Sequence, residues 1–96
     1  MRELSKEFIG KGQVRGFLFT QIKKNEHCYI YKIEDNGRIW YEIFEHRENK
    51  RFDCISYPRN KSFSIWAFTY LSLERALTCF DELTVTVEMR KGSNNV

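Results

Sequence analysis

Apolar and polar residues alternate along this chain in four or five successive runs, then switch to a three- and four-residue period near its C-terminal end. The alternating runs cover residues 14–23, 27–34, 39–47, 51–57 and 63–70, and a period of two is the mark of a strand with two distinct faces. The later run, 72–83, places Leu73, Ala76, Leu77, Phe80 and Leu83 on one stripe and predicts an amphipathic helix. Ser72 is its expected N-cap, and Glu74 suits the positive end of the helix dipole. Together these elements predict an α+β fold: an antiparallel meander of four or five strands with one C-terminal helix packed on one face.

The turns set the order of the strands. Lys24-Asn25-Glu26, Asp35-Asn36-Gly37 and Glu48-Asn49-Lys50 separate the first four runs. Asn-Gly is favoured where a two-residue hairpin needs positive φ at both central positions. Short turns imply that each strand lies beside its predecessor. Pro58 has no amide to donate and ends the fourth run. The fifth run, containing Phe63, Trp66, Phe68 and Tyr70, is read as a strand or as an extended lead into the helix. Residues 84–89 alternate and are β-branched, and their propensity favours a last strand over a helix extension. Residues 1–12 form a lead-in in which Leu4, Phe8 and Ile9 suggest a short helical turn. Residues 90–96 are read as a disordered tail.

Alternation also sorts the side chains. The first run splits into a set with Val14, Leu18 and Ile22 and a set with Arg15, Phe17, Phe19, Gln21 and Lys23. The third splits into Ile39, Tyr41 and Ile43 against Trp40, Glu42, Phe44 and His46. Leu18, Ile22, Ile39 and Ile43 are therefore expected beneath the helix. Phe17, Phe19, Trp40 and Phe44 are expected on the opposite surface, fringed by Arg15, Lys23 and His46, with Arg15, Lys23, Arg47 and Arg51 as the phosphate contacts if nucleic acid binds there. An apolar patch of ~400 Å2 represents about 10 kcal/mol gross on burial, enough to hold a dimer after association costs. The same surface would suit stacked nucleic-acid bases, each contributing ~1–3 kcal/mol. A third arrangement folds the N-terminal segment or the 63–70 run over this face within one chain.

Composition narrows the classes. Ninety-six residues make one domain, 42% hydrophobic and 30% charged, a globular balance. Sixteen basic against thirteen acidic residues leave a net charge of only +3, mild beside the dense basic stripe of a duplex-DNA protein. No apolar run approaches a membrane span, and the first residues lack a secretion signal, so a cytoplasmic protein without a membrane partner is expected. Cys28, Cys54 and Cys79 are odd in number and widely spaced, as expected of small thiols in a reducing compartment.

Catalytic and cofactor patterns are missing from the sequence. No C-x-x-C or H-x-x-x-H pair offers a metal site, and Gly10-Lys11-Gly12 lacks the spacing of a phosphate loop. Cys54 or Cys28 with His46 or His27, and Asp53 beside Cys54, are the residues a thiol enzyme would need. None sits where a thiol pKa would be expected to fall. The sequence therefore predicts a non-enzymatic binding or assembly module that self-associates as a dimer, with no cofactor and no metal. The alternative is a single-stranded nucleic-acid binder.

Two resemblances add to this reading. Tyr57-Pro58, then Phe63, Trp66 and Thr69, then Ser72, Glu74, Ala76 and Phe80 resemble a family of small bacterial proteins without assigned function. The runs Tyr29 through Arg38 and Glu42 through Glu45, with Arg51 ahead of Ile55 and Pro58, resemble the PUR repeat. That repeat is a four-strand-plus-helix unit that pairs with a second repeat and binds single-stranded nucleic acid. The resemblance implies Lys32 and Arg38 as nucleic-acid contacts. This chain departs from it by the extra segment between Pro58 and the helix.

Overall fold

The computed structural model describes residues 3–51, 54–55, 57–58 and 66–93, and only the backbone of Gln13, Asn49, Cys54, Gly92 and Ser93. Strands β1 (Glu7–Ile9), β2 (Leu18–Lys24), β3 (Cys28–Asp35) and β4 (Arg38–Glu45) follow one another. A two-stranded hairpin, β5 (Glu48–Asn49) and β6 (Cys54–Ile55), precedes β7 (Ala67–Tyr70) and the helix α1 (Leu73–Ser93). The main sheet has the order β1-β2-β3-β4-β7, antiparallel throughout. The expected α+β meander with one C-terminal helix is thus the observed fold.

The β3–β4 turn is the predicted two-residue hairpin. Asn36 and Gly37 take φ of 50° and 81°, and Asp35 pairs directly with Arg38. At the β2–β3 turn, Asn25 Oδ1 accepts from the amides of His27 and Cys28, both at 2.8 Å. Its Nδ2 donates to Thr84 Oγ1 at 3.0 Å, tying the turn to the helix.

Both faces of the sheet carry a core. On one side Cys28, Ile30 and Ile43 pack against Ala76, Phe80, Leu83 and Val87 of α1. On the other, Phe19, Tyr29, Tyr31, Ile33, Phe44, Ile55 and Ala67 form an aromatic cluster. Central strand β3 is consequently buried on both faces from Cys28 to Tyr31.

Several expectations change. The lead-in supplies an edge strand, β1, rather than a helical turn, and the short helical turn lies at Gly12–Val14. Phe8 is the reason: as a strand residue it pairs with Phe19, and the rings stack with centroids 4.7 Å apart. Of the 51–57 run, Cys54–Ile55 pairs with β5 outside the main sheet, Phe52, Asp53 and Ser56 lie outside the described residues, and Arg51 is in the turn. Of the 63–70 run, β7 begins at Ala67, and Phe63, Ser64 and Ile65 lie outside the described residues.

Residues 84–89 are helical, and α1 runs 21 residues to Ser93. The tail read as disordered is helical over 90–93, and Asn94, Asn95 and Val96 lie outside the described residues. The buried stripe continues at Val87. Burying it is worth about 2 kcal/mol, more than the ~0.7 kcal/mol helix penalty of a β-branched residue.

Of the four side chains expected beneath α1, Ile43 is there, whereas Ile22 and Ile39 are 40% and 43% exposed. A bulge explains Ile22. Gln21 pairs with Tyr31 and Lys23 with Ile30, so Ile22 is the extra residue and Lys23 moves to the helix side, its ammonium 5.1 Å from the Phe80 ring centroid. Ile39 and Leu18 share a row with Glu34 near the β3–β4 turn, beyond the cluster that α1 buries on Cys28, Ile30 and Ile43 at the other end of these strands. Among the described residues no helix is long and apolar enough to cross a membrane.

Candidate functional site: a cleft on the aromatic face

The aromatic face is held shut at one end by the chain's own N-terminal segment. Glu3 Oε1 accepts from Lys24 Nζ at 3.1 Å and from the Tyr29 hydroxyl at 3.0 Å, and its Oε2 lies 3.1 Å from His46 Nε2. The His46 contact leads in holding the Glu3 carboxyl down to about 2, against an ordinary 4.5. Further along, the Tyr31 hydroxyl donates to the Ser5 carbonyl and the Gln21 backbone N–H to the Lys6 carbonyl. Leu4 and Phe8 thereby cover the aromatic cluster, with Tyr57 and Trp66 packed against it from the other direction.

Between these covers the face opens into a cleft of about 440 Å3. The β1 end and the loop after it form one wall, with Phe8, Ile9, Gly10, Lys11, Val14 and Phe17. Phe19, Trp40 and Glu42 form the floor, and Tyr57 and Pro58 the far wall. The rings meet edge to face: Phe17 on Trp40 at 5.5 Å and Phe19 on Tyr57 at 5.3 Å between centroids. Gly10 brings the loop down onto the sheet. A Cβ there would stand 2.3 Å from the Val14 carbonyl oxygen and 2.9 Å from the Phe19 ring, too close for any other residue without displacement.

Glu42 is the acidic group of this lining. Its Oε1 accepts from the Tyr57 hydroxyl at 2.5 Å and its Oε2 from the Trp40 indole N–H at 3.4 Å. Burial raises its pKa above the usual carboxylate range, although both donors favour the ionised form. The Tyr57 hydroxyl is pushed far above its ordinary value by burial and by the carboxylate beside it, so it remains a donor. A carboxylate offers about four lone-pair positions, and two donors leave acceptor capacity over.

The structure places the sequence candidates unevenly. Phe17 and Trp40 line the cleft partly exposed, whereas Phe19 and Phe44 are 3% and 0% exposed beneath the covers. None of the basic candidates is part of the cleft lining. Lys23 lies on the helix side, while Arg47 stacks over Trp66 at 4.8 Å and approaches Glu45 at 3.5 Å. Arg15 and Arg51 are exposed in turns. Lys32 and Arg38 face acidic neighbours, Glu34 at 3.7 Å and Asp35 at 2.7 Å.

Glu42 and Tyr57 were not among the predicted site residues. A signal for Glu42 existed, since it is the carboxylate in an otherwise aromatic set between Trp40 and Phe44. Tyr57 reaches the far wall only through the β5–β6 excursion, which no periodicity reports.

Elsewhere a more polar depression of about 460 Å3 lies between Tyr70 and α1, lined by Glu74, Arg75, Cys79 and Glu82 among others. Burial pushes the Cys79 thiol up, and it pushes Cys28 up to about 11. His27 sits 3.5 Å from Glu26 and from Glu88, away from the cleft lining. Asp53 and the Cys54 side chain, two of the groups considered for thiol chemistry, lie outside the described residues. Among the described residues no three His, Cys, Asp or Glu side chains gather as a metal site. Comparisons with family models, with curated proteins and with solved structures find no match to this chain, so the reading of the cleft rests on its own residues.

Proposed function

We propose that this protein is a non-enzymatic binding module whose ligand site is the cleft between Phe17, Trp40 and Tyr57. The observation that carries this reading is the cleft itself: about 440 Å3, walled by aromatic and aliphatic groups, with a hydrogen-bonded carboxyl in its floor. Sites for small ligands have this size and composition, largely apolar with a few placed polar groups. The thiols support a non-enzymatic role, because burial at Cys28 and Cys79 disfavours the thiolate.

The test is a titration of isotope-labelled protein with benzyl alcohol. The reading expects shifts concentrated at the Gly10 amide, the Phe17 amide and the Trp40 indole N–H. Shifts absent there, or spread evenly over the surface, would remove it. A short single-stranded oligonucleotide in the same assay addresses nucleic-acid binding, with Phe17 and Trp40 as the partly exposed rings and Arg15 nearby in sequence. Salt-sensitive binding lost on Trp40→Ala would favour that class instead.

Self-association is a second reading with its own observation. The row Leu18, Glu34, Ile39 is left open by α1, and Ile39 is 43% exposed on that side of the sheet. A second copy of the chain is the occupant proposed for this patch.

A further inference from the structure

We infer that the cleft takes a small organic ammonium ion, with the cation at Glu42 and its apolar body against Phe17, Trp40 and Tyr57. This rests on reading the cleft as a ligand site and goes on to name the ligand. Three features converge. The walls present ring faces and edges from several aromatic residues in a space of about 440 Å3, the setting in which a desolvated cation gains most from ring quadrupoles. The acidic group of the lining is Glu42, whose two oxygens already accept from Tyr57 and Trp40, so it is oriented before any ligand arrives. Those two partners are neutral donors, so the carboxylate's charge has no counterion from either of them. An ammonium supplies one.

The opposite sign fits poorly. Among the described residues Lys11 is the cation of the lining, but it is exposed on a flexible stem, where solvent screens it. An anion in the floor would face Glu42 with no cation beside it among the described residues of the lining. A neutral aromatic would fill the walls while leaving the carboxylate's charge unanswered. The occupant is a free small molecule because the cleft's size is that of a compact ligand rather than of an extended chain.

The experiment compares three probes of one shape on the wild-type protein: benzyltrimethylammonium, benzyl alcohol and benzenesulfonate. They are followed by shifts of the Trp40 indole N–H and the Gly10 amide. The ammonium is expected to bind about tenfold more tightly than the alcohol, and the sulfonate more weakly than either. Glu42→Gln, which keeps an acceptor for Tyr57, should erase the advantage of the ammonium over benzyl alcohol. Equal binding of ammonium and alcohol would overturn the inference and leave the ligand site standing. Failure of all three probes to reach the cleft would overturn both. A trimethyllysine amide bound ten times more tightly than benzyltrimethylammonium would move the occupant to a protein side chain and overturn the free-amine assignment. The probe series needs no variant, so a poorly folding Glu42→Gln protein would not protect the inference.

Discussion

Single polar side chains do disproportionate work at the ends of the strands. Asn25 satisfies two amides of its own turn and reaches Thr84 in α1, joining the β2–β3 hairpin to the helix with one side chain. Asn25→Ala leaves two turn amides without their acceptor, and each neutral hydrogen bond is worth about 1 kcal/mol net. The variant is expected to lose about 2 kcal/mol in urea unfolding, with an unchanged dependence on denaturant. Glu3 plays the corresponding role for the N-terminal segment. Its carboxyl sits at about 2 when folded against 4.5 ordinarily, so the ionised form is favoured by folding. That stabilisation is complete above pH 4.5 and is lost as pH falls from 4.5 through about 2. Protection of the amides of residues 6–10, taken relative to the intrinsic exchange rate at each pH, should therefore fall over this window. In Glu3→Gln that protection should be low already at neutral pH and change little across the same range.

Elements show where pattern reading succeeds and where it stops. Turn chemistry was legible at Asn36-Gly37, because only a few residues tolerate positive φ there. The division of β2 and β4 into an aliphatic and an aromatic set was legible from alternation as far as Gln21. Beyond it, the bulge at Ile22 shifts every later residue of β2 to the other face, and one inserted residue has no compositional mark. Strand β1 was missed because three residues show too little alternation to register. Residues 84–89 were misread because Thr-Val-Thr-Val satisfies strand propensity, while the helical stripe from Phe80 through Leu83 to Val87 runs through the same letters. A pair of substitutions separates the two periods. In a strand Val85 and Val87 would share a face and respond alike. In α1 Val87 is 4% exposed and Val85 53%. Val87→Ala should cost about 2 kcal/mol, whereas Val85→Ala should stay within about 0.5 kcal/mol of wild type by thermal or urea unfolding.

At the scale of the whole molecule, the question is what a small sheet with apolar residues on both faces does with the second face. One long helix covers the Cys28, Ile30 and Ile43 side. The aromatic side is closed from within by Leu4, Phe8, Tyr57 and Trp66, which leaves a cleft rather than a flat platform. The aromatic surface is therefore smaller than the sequence implies, and a dimer held by burying four rings is no longer the economical arrangement. Apolar side chains such as Leu71, Met89 and Ile9 also remain exposed, but on the sheet itself the helix side leaves Ile39 open beside Leu18 and Glu34, beyond the cluster that α1 buries. If a second copy covers this patch, the contact is apolar and its strength should vary little with ionic strength. Light scattering at low and high salt is expected to give twice the 11.6 kDa chain mass in both. Ile39→Glu should return the protein to one chain mass at both salt concentrations. Trp40→Ala, on the opposite face, should leave the mass unchanged while weakening ligands in the cleft. A wild-type mass of one chain at high concentration would refute self-association and leave the cleft as the molecule's interaction site. Loss of the dimer in Trp40→Ala but not in Ile39→Glu would instead move the interface to the aromatic face, placing the cleft mouth between copies.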